Sequence, residues 1–273
     1  MSISRRSFLN TSPLIFTPAF LTVAGASPSA AATSTEPLAP DAAFPTQPAE
    51  LVREMVAVSH GNVARVKELL ASRPTLARAA FDWGFGDWED ALGAASHVGN
   101  REIAETLLAH GARPTIFSAA MLGQLETVKA FITASPGIEA TPGPHSITLL
   151  RHAMAGGARA QAVTDYLKTL PGADARPDSQ PLTADEMAAL TGEYIYGAAA
   201  DERITISVTN SALVFTRSGR TGRGLTHVGE RAFFPMGAPR VRIRFRESPA
   251  GMTLTIHDPD QVLEARRSST VLQ

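Results

Sequence analysis

Leu92-Gly93-Ala94-Ala95-Ser96-His97-Val98-Gly99-Asn100-Arg101-Glu102-Ile103-Ala104, continued by Glu105-Thr106-Leu107-Leu108-Ala109-His110-Gly111-Ala112, carries the reading of the fold. Small Ala94 and Ala95 let a first helix sit close to a neighbour. Gly99 supplies a left-handed turn, and Gly111 caps a second helix. Between them, Ile103, Ala104, Leu107 and Leu108 recur at three and four positions, which makes one buried stripe.

Working outward, the same plan returns. Gly61-Asn62-Val63, Gly99-Asn100-Arg101, Gly123-Gln124-Leu125 and Gly157-Ala158-Arg159 each open an amphipathic segment. Val63–Leu70, Val128–Ile132 and Ala162–Leu167 match Ile103–Leu108 in pattern. Ala119-Ala120-Met121-Leu122-Gly123 and Leu150–Gly157 give further copies of the first helix. Such recurrence marks a stack of helix pairs, each burying its apolar face on the next.

The segment from Leu92 to Ala112 resembles an ankyrin repeat, whose pattern runs Leu-His, Ala-Ala, Gly, an aliphatic helix ending Leu-Leu, and Gly-Ala. The match departs from the family in places. The family's histidine is Gly93 here and its proline is Ala91. The glycines stand 38, 24 and 34 residues apart (99−61, 123−99, 157−123), against about 33 in the regular family. The first interval carries an insertion, and the second lacks most of a hairpin finger. The resemblance covers about half the chain and implies an array that binds other proteins, although fold alone does not fix function.

Beyond a Pro-, Gly- and Asp-rich boundary from Pro171 to Pro181, Thr183 and Glu186 form a capping box for a short helix. After Gly192 the apolar period becomes two. Glu193–Tyr196, Arg203–Val208, Ala212–Thr216, Leu225–Val228, Ala232–Phe234, Val241–Arg246, Met252–His257 and Leu263–Arg266 are expected strands of an antiparallel meander or small barrel. Leu190-Thr191-Gly192-Glu193-Tyr194 and Phe233-Phe234 resemble the small lipocalin-like domain appended to exported serine hydrolases. That domain is an accessory there, so the resemblance implies no catalysis.

Ser4-Arg5-Arg6-Ser7-Phe8-Leu9 precedes an apolar stretch too short to span a bilayer, and Ala30-Ala31-Ala32 offers small residues for cleavage. The N-terminus resembles a bacterial twin-arginine signal, with Arg5 and Arg6 as its pair. That route exports folded chains, often with a cofactor in place, and implies a periplasmic protein. The expected division is 1–32 signal, 33–48 flexible linker, 49–176 ankyrin-like repeats, 177–182 linker and 183–270 β domain, an α+β multidomain chain with no transmembrane segment in the mature part.

Composition narrows the chemistry. Apolar residues make up 44% and charged residues 19%, and the formal net charge is −1. That balance gives no ground for a nucleic-acid partner. With no cysteine, disulfides, thiolate metal sites and cysteine nucleophiles are excluded. The sequence has no nucleophile elbow, Ser-x-x-Lys, phosphate loop, Rossmann glycines, calcium loop or His-Glu-x-x-His, so no catalytic residue, cofactor or metal is expected from local motifs.

The insertion Phe81–Asp90 holds both tryptophans and four carboxylates. Asp82, Trp83, Phe85, Asp87, Trp88 and Glu89 are therefore the candidate binding surface, since tryptophans are enriched in interaction hot spots. The alternative is that Trp83 and Trp88 fold back to cover the end of the array. His97, His145 and His152 extend the candidate surface. On an ankyrin-like concave face they would approach one another and the acidic insertion, a set able to hold zinc or move protons. The competing reading is that each caps a turn or bonds a carbonyl. Arg240, Arg242, Arg244 and Arg246 alternate with Val241, Ile243 and Phe245. That row forms either an anion-binding face, with Arg217, Arg220 and Arg223 nearby in sequence, or a solvated sheet face.

The function expected from the sequence is therefore a non-enzymatic periplasmic binding protein that recognises another protein through the insertion. The alternatives are a binder of cell-envelope glycans or anionic ligands, and a metal-dependent hydrolase built on the histidines and nearby carboxylates.

Overall fold

The computed structural model describes residues 41–259 and 261–268. The signal reading, including Arg5 and Arg6, lies outside the described residues, as does linker segment 33–40. The rest of that linker is tied to the helices. Arg73 bonds Asp41 and Gln47, and Gln47 bonds Thr75.

Among the described residues eight α-helices come first: α1 (Ala49–Val58), α2 (Val63–Ser72), α3 (Ala91–His97), α4 (Arg101–Ala109), α5 (Ile116–Met121), α6 (Leu125–Ala134), α7 (Leu149–Ala155) and α8 (Gln161–Lys168). The local chemistry explains their starts. The Asn62 and Asn100 side chains that follow the glycine turns accept from Arg65 N and Ile103 N. Thr115 forms a capping box with Ser118, and Thr148 accepts from Arg151 N. Each bond satisfies an orphan amide of a first turn.

The helices form stacked pairs. α1, α3, α5 and α7 lie in one row, each packed on the next. Ala94, Ala95, Ala119, Ala120 and Ala153 are buried along that row, because only small side chains permit so close an approach. Gly99 has φ +76, and a Cβ there would lie 2.1 Å from the Ala155 carbonyl oxygen, so the turn needs glycine for both conformation and space. The fourth pair differs from expectation. A 3-10 turn, Gly157–Ala160, comes between the glycine and α8.

The insertion forms a short hairpin. β1 (Ala80–Asp82) and β2 (Trp88–Asp90) pair antiparallel around a loop in which Trp83 N donates to Asp87 O. Gly84, Phe85 and Gly86 all take positive φ there. The Asp90 side chain, at the end of β2, caps α3.

A short helix, α9 (Ala184–Leu190), carries the expected Thr183–Glu186 capping box. Eight strands follow: β3 (Gly192–Ile195), β4 (Arg203–Thr209), β5 (Ala212–Arg217), β6 (Arg223–Gly229), β7 (Ala232–Pro235), β8 (Arg242–Ser248), β9 (Gly251–Asp258) and β10 (Gln261–Arg267). Each pairs antiparallel with the next, and β10 pairs with β3, so the meander closes into a barrel. Closure removes the sheet edges. Ile204, Ile206, Phe215, Phe233, Ile243, Phe245 and Leu254 alternate into an apolar interior. Tyr194 is buried and donates to Leu190 O, which ties the barrel to α9. Among the described residues no helix is long and apolar enough to cross a membrane.

Candidate metal centre

Four side chains from four segments converge beside the hairpin. His60 follows α1, Glu89 lies on β2, His97 ends α3, and His145 sits in a 3-10 turn before α7. One ligand atom from each lies within 4.8 Å of all the others. His60 Nε2 and His97 Nε2 are 3.1 Å apart. Glu89 Oε1 stands 2.9 Å from His97 Nε2 and 3.3 Å from His145 Nε2, and Glu89 Oε2 stands 3.6 Å from His60 Nε2. A tetrahedron with metal–nitrogen bonds of about 2.0–2.1 Å has edges of about 3.3 Å. The separations from Glu89 Oε1 to His97 and His145, and from His60 to His97, run from 2.9 to 3.3 Å, close to that length.

Three of the four groups, His145, His60 and Glu89, are held from behind. His145 Nδ1 lies 2.7 Å from Asp87 Oδ2, and His145 N donates to Asp87 Oδ1 at 2.9 Å. His60 Nδ1 lies 3.0 Å from the Ala57 carbonyl oxygen. A carboxylate or carbonyl on the far nitrogen sets the tautomer that turns the other lone pair toward a metal. Trp83 Nε1 donates to Glu89 Oε2 at 2.7 Å. Glu89 is only 1% exposed, and its Oε1 has no partner of hydrogen-bonding geometry. An anionic oxygen buried in this way needs a cation beside it, either a protonated imidazole or a metal ion.

The electrostatics of the group are those of ionised partners. Burial alone would push the Glu89 carboxyl up. The His145 and His97 imidazoles against it, with the charges of His145 and His60, bring it down to about 2. Burial likewise opposes protonation of His145, but its contacts with Asp87 and Glu89 raise it to about 9.

The barrel holds this arrangement in place. Arg223, at the start of β6, donates to Asp87 Oδ2, to Gly84 O at 2.9 Å and to Met236 O at 3.1 Å. Gly237, between β7 and β8, abuts the same carboxylate. A Cβ there would stand 2.2 Å from Asp87 Oδ2. Phe85, at the hairpin tip, packs on the barrel core with its ring 5.7 Å from that of Phe215.

The candidate residues of the sequence thus separate. Asp87 and Glu89 are buried, so they face the histidines and not solvent. Trp83 packs on the helical core beside Phe81, as the fold-back reading has it, whereas Trp88 is 64% exposed. Asp82 bonds Gly84 N within the hairpin loop. His97 and His145 join the centre. His152 is fully buried behind it, with Nδ1 on the Thr148 carbonyl and its ring 6.5 Å from that of His97. Of the arginine row, Arg244 and Arg246 project from the exposed face of β8, as does Arg240 ahead of the strand. Arg242 turns onto the Val241 and Pro239 carbonyls and the Phe234 ring.

His60 is the member of this group that the sequence reading omits. Its signal is positional: it stands just before Gly61, as His97 stands just before Val98-Gly99, at the end of a first helix. The expectation of no metal rested on the absence of local spacing. The four donors come from positions 60, 89, 97 and 145, and no local motif spans them. The chain matches no described protein family, no curated protein and no solved structure.

Proposed function

We propose that this protein binds a divalent transition metal, zinc by the chemistry of its donors, through His60, Glu89, His97 and His145. The observation that carries this reading is the convergence of three imidazoles and one carboxylate, with one ligand atom from each within 4.8 Å of the others and the far nitrogens of His60 and His145 already engaged. Three imidazoles with one hard oxygen suit zinc better than calcium or magnesium, which take oxygen ligands.

The metal would join the ends of α1 and α3, the hairpin and the loop before α7. The stacked helix pairs, with left-handed glycine turns at Gly99 and Gly123, support an ankyrin-like reading of the array. Export by the twin-arginine route is part of the same proposal, because it carries folded chains and would deliver the protein to the periplasm already loaded. Protein recognition through the insertion is less well supported than metal binding, since Asp87 and Glu89 point inward and Trp88 alone among the insertion's large side chains is mostly exposed.

A second reading, metal-dependent hydrolysis, is favoured by one observation. The His60 side chain is 33% exposed, against 11% for His97, 19% for His145 and none for Glu89. Water entering beside His60 would add a further ligand to the metal and be acidified by it.

Titration of the metal-free protein with zinc, followed by calorimetry, tests the proposal. One zinc per chain is expected, with affinity reduced at least about 100-fold in His97→Ala and Glu89→Gln, on the ground that each removes a ligand. His110→Ala is the control, because His110 is exposed and bonds only the Thr106 carbonyl. Zinc uptake equal in all four proteins would overturn the assignment.

A further inference from the structure

A second site lies where the hairpin meets the open end of the barrel. An open cleft of about 600 Å³ lies there, lined by Arg53, Phe81 and Trp83 together with residues of the barrel strands. That volume falls among those of small-molecule sites, about 300–1,000 Å³. Ile204, Phe215 and Ile256 belong to the barrel core, so the cavity opens against the end of that core.

The lining has two characters. Its barrel wall is apolar, made by Ile204, Phe215, Ile256 and Leu263. Its rim is cationic. Four arginines, Arg53, Arg217, Arg220 and Arg223, face two carboxylates, Asp82 and Asp258. Arg223 is committed to Asp87 and two carbonyls. The other three have no carboxylate within 4.0 Å among the described residues, Arg223 being the one lining arginine in an ion pair. Arg53 lies over the Phe81 ring and Arg217 over the Tyr196 ring, at 5.9 and 5.6 Å. Arg217 Nε also donates to the Tyr196 hydroxyl at 2.8 Å, whereas stacking of this kind holds the Arg53 guanidinium in place with its N–H edge directed past the ring.

We propose that this cavity binds an amphipathic organic monoanion, a carboxylate with an aliphatic body. Its charge would meet Arg53 and Arg220 at the rim, and its chain would lie on Phe215, Ile256 and Leu263. A charge pairing at the rim gives orientation, while the apolar wall supplies most of the affinity through surface removed from water. This site shares Trp83 with the metal centre but needs no metal, so it stands apart from that reading.

The test is calorimetric titration with dodecanoate below its micelle concentration, in zinc-loaded and zinc-free protein. Dodecyltrimethylammonium and acetate serve as the matched cation and the bare head group. One dodecanoate per chain is expected, at least tenfold tighter than the cation, with no measurable acetate binding. The double variant Arg53→Gln, Arg220→Gln changes two exposed side chains and should bind dodecanoate at least fivefold more weakly. Leu263→Trp should abolish binding by filling the apolar wall. The proposal is overturned if dodecanoate does not saturate, if the cation binds as tightly, or if the double arginine variant keeps full affinity. Loss of zinc binding alone would leave this site standing.

Discussion

Arg223, the first residue of barrel strand β6, bonds the Asp87 carboxylate that holds His145, across 136 positions of sequence. The barrel thereby reaches the metal centre without supplying a ligand. Asp87→Asn should weaken zinc binding about 10–100-fold, the usual cost of losing the carboxylate behind a ligating histidine. Arg223→Gln should act in the same direction with smaller effect. Calorimetry checks both, with circular dichroism to show that the barrel is intact. Unchanged zinc affinity in Asp87→Asn would mean that His145 is not a ligand.

Gly237 permits the approach of that carboxylate. With φ +86 and a built Cβ 2.2 Å from Asp87 Oδ2, Gly237→Ala must push the hairpin tip away. It should lower zinc affinity although it touches no histidine. Gly224→Ala, whose Cβ meets nothing within 4 Å, should bind zinc as the parent does.

The turn at Gly99 sets the stacking of the helix pairs. Gly99→Ala places a Cβ 2.1 Å from Ala155 O at φ +76 and should cost about 1–3 kcal/mol or more in urea unfolding. Gly61→Ala, with open space and no positive φ, should be neutral or stabilising by about 0.4–1 kcal/mol. Equal losses in the two would remove the special role of the Gly99 turn.

His152 makes the fold acid-sensitive. Burial holds its imidazole down at about 4, against 6.5 for the free side chain. Between those values the unfolded chain takes up a proton that the folded chain refuses. The stability contributed by the neutral, buried ring is therefore present above pH 6.5 and lost as pH falls toward 4. The loss is on the order of 3 kcal/mol at 1.36 kcal/mol per unit. His145, raised to about 9, acts in the opposite sense, its stabilisation being lost as pH rises from 6.5 toward 9, while Glu89, lowered from 4.5 to about 2, adds its own loss only at the acid end of the window. His152→Gln, which keeps a donor for the Thr148 carbonyl, should flatten the curve of stability against pH between 6.5 and 4. A parent-like slope in that variant would assign the acid sensitivity elsewhere.

The sequence made much of the fold legible because its signals are local. All eight barrel strands follow from a period of two and from turn residues between them, and Thr183 with Glu186 marks α9. The four helix pairs follow from glycine turns and apolar spacing. The hairpin was not legible. Its strands have three residues each, and Gly84-Phe85-Gly86 reads as loop. The centre was legible in part. His97, His145 and the insertion's carboxylates were placed near one another by the expected helical face. His60 was absent from that set, and His152 proves to be a buried neighbour of the centre, outside the group of four donors. No residue pattern could show that Arg223 clasps Asp87, because that contact depends on how the barrel seats on the hairpin.

Cobalt substitution tests the metal centre most directly, because the absorption of Co2+ reports both its uptake and its geometry. The expected result is one cobalt per chain, bound tightly, with the intense visible bands of a tetrahedral site, displaced by zinc and lost in His60→Ala, His97→Ala and Glu89→Gln. Faint bands of six-coordinate cobalt, sub-stoichiometric uptake, or the same spectrum in those three variants would contradict the assignment of His60, Glu89, His97 and His145 as the ligands.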